Sequence, residues 1–262
     1  MIQHAHNGLN YLSFKTIDAA RVHHGVFTRH GGVSEPPYAS LNLSRSTGDG
    51  AEPVRENRRR MFEALGTTPE RSLTSWLVHG NTVRVLDETM LAHKPFSDDA
   101  HADAMITRSR CLALTLRFAD CVPVVFYDPA RAAIGIAHAG WLGIENGVLG
   151  ATVQAMATAF GSRPSDIQAG IGPSIGPDRF EVGEDVAERI QRAAPEPVIV
   201  RRHGAPRPFV DLWRAAAAQL RQAGLESIET AGVCTATDNL DWFSHRAEQG
   251  KTGRFGVAIL LV

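Results

Sequence analysis

Two histidines and a cysteine stand at the borders of apolar runs, and they carry the most specific chemistry in the chain. His138, in Ala137-His138-Ala139-Gly140-Trp141, closes the run Ala132 to Ala137. Cys121, in Ala119-Asp120-Cys121, opens the run Val122 to Tyr127. His79, in Val78-His79-Gly80, lies beside Val83 to Leu86. Two imidazoles and a thiolate are the donors of an open zinc site, in which three protein ligands leave a fourth position for water or substrate. The separations, 42 residues from His79 to Cys121 and 17 from Cys121 to His138, match no compact zinc pattern. From the residues alone, metal binding and an ordinary structural role therefore stand level. A Cys–His pairing also suits a thiol nucleophile, with Cys121 drawn toward thiolate by His138 or His79. A fourth ligand such as Cys234 would instead close a structural zinc site.

Other chemical motifs fail on spacing. Gly250-Lys251-Thr252 ends like a phosphate-binding loop, but position 245 holds His where that loop needs glycine. Gly170-Ile171-Gly172 opens like a dinucleotide fingerprint, but its third glycine, Gly176, comes one place late. The His-x-Glu and Pro-Cys-x-x-Cys pair of zinc nucleobase deaminases is absent, as is the Gly-x-Ser-x-Gly elbow of serine hydrolases. Gly31-Gly32, following Arg29 and His30, would offer backbone N–H groups beside a cation, a concavity suited to phosphate or carboxylate. An ordinary glycine turn with a surface arginine is the commoner outcome for such a loop.

These residues need a scaffold. With 262 residues, 44% of them hydrophobic, the chain is long enough to bury roughly three quarters of its unfolded surface. The 27 Lys and Arg nearly balance the 28 Asp and Glu, so no nucleic acid or anionic membrane is expected as an obligatory partner. No apolar stretch approaches the roughly 20 residues that span a bilayer. Three cysteines, Cys111, Cys121 and Cys234, are an odd number and point to free thiols in a reducing cytoplasm. Strands are expected over Arg21 to Phe27, Leu112 to Leu116, Cys121 to Tyr127, Ala132 to Ala137, Ile167 to Ile171 and Gly256 to Val262. Helices are expected after Gly50 with Pro53 in the first turn, over Ile144 to Phe160 ended by Gly161, over Val182 to Ala193, and over Leu212 to Ala223 with Asp211 as cap. His4-Ala5-His6 lies at a polar terminus expected to be mobile. The turn-rich segments 28–50 and 170–178 read as site loops within one mixed α/β domain spanning 1–262, with 1–20 as an N-terminal segment.

An ordered set of motifs then converges. It runs Phe27-Thr28-Arg29-His30-Gly31-Gly32-Val33-Ser34, Ser40-Leu41-Asn42-Leu43, Val78-His79-Gly80, Ala102-Asp103-Ala104, Ala119-Asp120-Cys121-Val122-Pro123-Val124 and His138-Ala139-Gly140-Trp141. It continues with Ile171-Gly172-Pro173-Ser174-Ile175-Gly176, Phe180-Glu181-Val182-Gly183, Cys234-Thr235 and Phe243-Ser244-His245-Arg246. From about residue 22 onward, the chain closely resembles the bacterial family known both as polyphenol oxidase with a laccase domain and as purine nucleoside phosphorylase, some members of which are described as peptidoglycan editing factors.

The resemblance implies an α+β fold of packed mixed sheets and helices. It implies one zinc held by His79, Cys121 and His138; the same two imidazoles and thiolate can also take up copper in vitro. It implies phosphorolysis of adenosine, inosine and methylthioadenosine, and deamination of adenosine. The alternatives are an amidase or Cys hydrolase acting on a muramyl-peptide precursor, and a non-catalytic protein with structural zinc. Cys121 and Asp120 are the candidate catalytic residues, Asp120 as general base or as an orienter of the site. Arg29, His30 and Asn42 are the candidate residues for nucleoside and phosphate. Three positions depart from the family pattern: Leu142 and Ala247 stand where arginine is usual, and Ser174 where cysteine is frequent. If the arginine at 142 binds phosphate elsewhere in the family, this chain should favour water over phosphate.

Overall fold

The computed structural model describes residues 1–93, 100–110 and 112–262; Cys111, one of the three expected free thiols, lies outside them. The chain runs through β1 (Ile2–His6), β2 (Leu9–Ser13), β3 (Val22–Phe27), α1 (Ala51–Ala64), β4 (Ser72–Leu73), β5 (Val83–Leu86), β6 (Ala104–Thr107), β7 (Ala113–Phe118), β8 (Val122–Asp128) and β9 (Ala133–Ala139). It continues through α2 (Trp141–Glu145), α3 (Val148–Phe160), β10 (Gln168–Ile171), α4 (Glu184–Ala193), β11 (Ile199–Val200), β12 (Phe209–Val210), α5 (Leu212–Gln222), β13 (Ser227–Thr230) and β14 (Phe255–Leu261).

Two mixed six-stranded sheets, ordered β1-β2-β3-β14-β7-β4 and β13-β10-β8-β9-β6-β5, form the centre of an α+β fold. Strand alternation divides the apolar residues into three cores. Leu114, Leu116, Val257 and Ile259 of the first sheet meet Val125, Tyr127, Ile134 and Ile136 of the second in a core between the sheets. The other face of the second sheet, with Val124, Phe126 and Ala137, packs on Leu149, Val153, Ile190 and Leu220 of the helices. The outer face of the first sheet, with Phe27, Ala258 and Leu260, is covered by Met61 and Phe62 of α1. β14 pairs with both β3 and β7, which explains why the last strand is buried along its whole length. His138 has the parity of Ile134 and Ile136, so its ring enters the space between the sheets, 5.5 Å from that of Phe118.

The structure departs from the sequence reading in two elements. The helix expected over Ile144 to Phe160 starts earlier and breaks: α2 begins at Trp141, and Gly147, in the left-handed region at φ 71, separates it from α3. The N-terminus, expected to lack a fixed place, forms the edge of the first sheet. Asn7-Gly8, both with positive φ, closes an antiparallel hairpin of β1 and β2 that β3 continues. His4 there stacks on Tyr11 at 4.7 Å and bonds to Ser13 Oγ at 2.7 Å. Among the described residues no helix is long and apolar enough to cross a membrane.

Candidate metal centre

The His79 segment is shaped by a carboxylate. Asp103, fully buried just before β6, accepts from the backbone N–H groups of Val78, His79 and Gly80 at 3.2, 3.0 and 2.8 Å. Convergence of three successive N–H groups on one anion is a nest-like arrangement, and it accompanies a left-handed backbone at His79, φ 60. The same carboxylate accepts from His138 Nδ1–H at 2.9 Å, and the Asp103 carbonyl accepts from the His138 N–H at 2.7 Å. With Nδ1 so engaged, Nε2 is the free donor atom of His138. Burial pushes the Asp103 carboxyl up, but the bonds from His138, Gly80 and His79 hold it below the usual carboxylate range.

Cys121 lies one residue before β8, after a turn in which Asp120 has φ 86. Both carboxylate oxygens of Asp120 are engaged. Its carboxylate accepts from Thr235 Oγ1 and Ser244 Oγ, each at 2.7 Å, and from the Arg246 N–H at 2.6 Å; its carbonyl accepts from the Ile175 N–H at 2.9 Å. One residue thereby gathers the 174–175, 234–235 and 244–246 segments around the Cys121 turn. Donor atoms of His79, Cys121 and His138 lie within 4.8 Å of one another, and the set grades from exposed His79 through Cys121 to buried His138. Gly140 makes room for it: a Cβ there would stand 2.9 Å from Cys121 Sγ and 3.2 Å from His79 Cδ2.

The donors are electrostatically matched. Burial raises the Cys121 thiol, yet His138 and His79 outweigh it and bring the thiol down to about 6. Burial lowers His138, yet the Cys121 thiolate and the Asp103 carboxylate push it up to about 9. Each group favours the charged form of the other. A soft anionic sulfur and two imidazoles fit zinc or copper and suit magnesium or calcium poorly. Among the described residues this is the one cluster of three such donors within that reach, and Cys234 is not in it. Cys234 Sγ instead accepts the Gly176 N–H at 3.2 Å.

The cluster opens into a cavity of about 450 Å³. Trp76, Leu77, Phe118, Ile175 and Phe180 give it apolar and aromatic surface; Ser44, Ser46, Arg117, His245, Arg246 and Arg254 give it hydroxyls and cations. Arg254 is held by its own segment, donating to the carbonyls of Thr252 and Gly253, and among the described residues it forms no ion pair. Burial lowers its pKa, the signature of a desolvated cation.

The residues expected to hold substrate lie elsewhere. The Arg29 guanidinium donates to the carbonyls of Ala39 and Asn239, pairs with Glu248 at 3.1 Å and covers the Phe243 ring. Gly31 and Gly32 pack against backbone, a Cβ on either meeting the Gly8 or Ser40 carbonyl, the Gly32 N–H is taken by Ser40 Oγ at 3.1 Å, and neither glycine lines the cavity. His30 bonds to Asp241 at 2.8 Å on the surface. Asn42, fully buried, donates to the Ser44 carbonyl and to Asp49, and accepts from the Arg254 N–H at 2.8 Å. It fixes the segments bearing Ser44 and Arg254 and is not itself part of the lining. Leu142 and Ala247 are half-buried and also outside the lining, and Ser174 accepts from Trp213 Nε1 at 2.7 Å in the interior. Asp103 and Arg254 were the residues sequence reasoning left without a role. For Asp103 the signal was an acid between two alanines at the start of an apolar strand.

The family model described as multi-copper polyphenol oxidoreductase laccase matches residues 23–262. The purine nucleoside phosphorylase YfiH of Escherichia coli K12 is 37% identical over 236 residues, covering 90% of this chain and 92% of that protein. A purine nucleoside phosphorylase of Deinococcus radiodurans is 36% identical over 238 residues, covering 91% and 88%. The crystal structure of YlmD from Geobacillus stearothermophilus superposes with a TM-score of 0.91 at 32% identity, covering 99% of this chain and 98% of that one. With a match that runs from β3 to β14 and takes in all three metal-donor residues, this chain belongs to the multi-copper polyphenol oxidoreductase laccase family.

Proposed function

We propose that the chain is a zinc-dependent purine nucleoside enzyme that phosphorolyses adenosine, inosine and methylthioadenosine and deaminates adenosine. One observation carries the reading: a His–Cys–His donor set shares a cavity of about 450 Å³ with aromatic and cationic groups. A nucleoside brings a flat apolar base, and its co-substrate phosphate brings an anion, so both kinds of lining have a use. The relatives named purine nucleoside phosphorylase support the same assignment.

His79, Cys121 and His138 would hold one zinc per chain. Bound there, zinc supplies Lewis acidity beside a position open to water or substrate. In phosphorolysis a phosphate oxygen bonds to ribose C1′ while the C1′–N9 bond breaks. The purine leaves with that electron pair and takes a proton at a ring nitrogen, giving ribose 1-phosphate and free base. Arg254, Arg117 and Arg246, with the hydroxyls of Ser44 and Ser46, are assigned to the phosphate in place of Arg29 and the Gly31-Gly32 loop. His245, the lining histidine outside the donor set, is assigned as proton donor to the leaving base. Trp76 and Phe180 offer ring faces to the purine. In deamination water adds at C6 and ammonia leaves. Asp120, with both carboxylate oxygens already accepting short bonds, is assigned to holding the site loops together rather than to accepting a proton.

Zinc-loaded protein should convert adenosine to ribose 1-phosphate and adenine with phosphate present, and to inosine and ammonia without it. A muramyl-peptide precursor assayed in parallel should be unchanged. Hydrolysis of that precursor with adenosine untouched would replace this reading with that of a cell-wall editing hydrolase.

A further inference from the structure

We infer that Asp103 is a single positioning residue for both histidine ligands, an inference that rests on reading His79, Cys121 and His138 as the metal set. Its carboxylate accepts four bonds, the full capacity of the group. Oδ1 takes His79 N–H at 3.0 Å and His138 Nδ1–H at 2.9 Å; Oδ2 takes Val78 N–H at 3.2 Å and Gly80 N–H at 2.8 Å. The main chain of Asp103 repeats the bridge, its carbonyl accepting from His138 N–H at 2.7 Å and its N–H donating to the Thr82 carbonyl at 3.2 Å. The residue is fully buried, so bulk solvent does not reach these bonds.

The two ligands depend on this carboxylate in different ways. For His138 it fixes ring orientation and tautomer, leaving Nε2 for the metal. For His79 it fixes the backbone. A non-glycine residue enters the left-handed region, here φ 60, only when its surroundings compensate for the strain. Three N–H groups converging on one anion are that compensation. An amide in the same place has one carbonyl oxygen, and its NH₂ would face backbone donors. Asp103→Asn therefore loosens both histidines through one change, although neither ligand is altered.

The test is zinc affinity by chelator competition in a double-mutant cycle, with no activity assay. Asp103→Asn should weaken zinc binding about 10- to 100-fold, the usual range for an outer partner of a ligand. In a His79→Ala background the loss should shrink, since only the His138 part is left. In a His138→Ala background it should shrink as well. An undiminished loss in the His79→Ala background would overturn the action on His79, and unchanged affinity in Asp103→Asn would overturn the whole inference. Asp103→Ser, which removes the charge without adding an NH₂ group, runs through the same cycle. A merely structural role would lower the unfolding midpoint of metal-free protein and leave the cycle additive. In zinc-loaded wild type, ¹⁵N NMR should find His138 protonated at Nδ1; protonation at Nε2 would also overturn the inference. Failure of wild type to bind zinc, by contrast, would remove the ligand reading itself.

Discussion

Cys121 and His138 set the proton balance of the site. In metal-free protein the thiol is pulled down to about 6 by the histidines and the imidazole pushed up to about 9 by Cys121 and Asp103, so near neutral pH the thiolate–imidazolium form is the favoured one. A metal needs the thiolate and a neutral imidazole. Uptake near pH 7.5 should therefore release about one proton, from His138. Affinity should rise with pH up to about 9 and fall more steeply below about 6, where Cys121 also carries a proton. Zinc titration in weak buffer with a pH indicator reads this directly; no proton release at pH 7.5 would show that His138 is already neutral. Gly140 offers a steric counterpart. Its alanine variant puts a methyl 2.9 Å from Cys121 Sγ and should weaken zinc about 10-fold, on the scale of an outer-shell change. Cys121→Ala should abolish stoichiometric zinc. Retention of full zinc by Cys121→Ala would rule the cysteine out as a ligand.

Elements decide which cations face the cavity. β14 begins at Phe255, so Arg254 is delivered at the strand's entry, with its backbone N–H held by Asn42. Removing it as Arg254→Met should raise the phosphate KM about 10-fold or more, from the ~1.5–3 kcal/mol of a hydrogen bond to a charged group. Leu142 sits on α2 outside the lining, so Leu142→Arg should give the same phosphate titration as wild type. A lowered KM in that variant would return the residue to the mechanism. A further prediction belongs to β3. His24 accepts the Phe14 N–H at 2.8 Å, and burial holds its pKa at about 4 against the ordinary 6.5. Below pH 6.5 the unfolded chain binds a proton that the folded chain excludes. Stability should therefore be fully present above that pH and decline toward pH 4, by at most about 1.4 kcal/mol per pH unit from this residue. Urea unfolding midpoints that stay level from pH 7 to 5 would contradict it.

The whole molecule bears on the laccase part of the family's name. A multicopper oxidase arranges many histidines around several copper ions. Among the described residues this fold gathers one His–Cys–His cluster. Copper outcompetes zinc at most nitrogen and sulfur sites, so phenol oxidation should be near background in zinc-loaded protein and rise only with added copper. Strong oxidation by copper-free protein would defeat this expectation. The three apolar cores are built almost wholly from other side chains, with Cys121 and His138 only bordering the one between the sheets, so chelation should lower the unfolding temperature by the lost binding energy while unfolding stays cooperative.

Periodicity determined much of the scaffold from the sequence alone. The runs that became β7, β8, β9 and β14 are mostly apolar because they are buried on both faces, and such a run declares itself without neighbours. The donor types His79, Cys121 and His138 were legible for the same reason: each interrupts or borders an apolar run. The hairpin of β1 and β2 was also legible, in Asn7-Gly8, although the polar terminus drew the reading elsewhere. What the tertiary structure decided was proximity and engagement. His79 and Cys121 are brought together across 42 residues by a left-handed turn on a carboxylate from a third segment. Arg29 and Arg254 look alike as sequence, each an arginine at the edge of a strand and within two residues of a glycine. One is bound by Glu248 and two carbonyls, and the other lines the cavity with no ion pair among the described residues. Spacing along a chain encodes local periodicity, whereas the partner of a long charged side chain is set by segments that arrive from elsewhere in the fold.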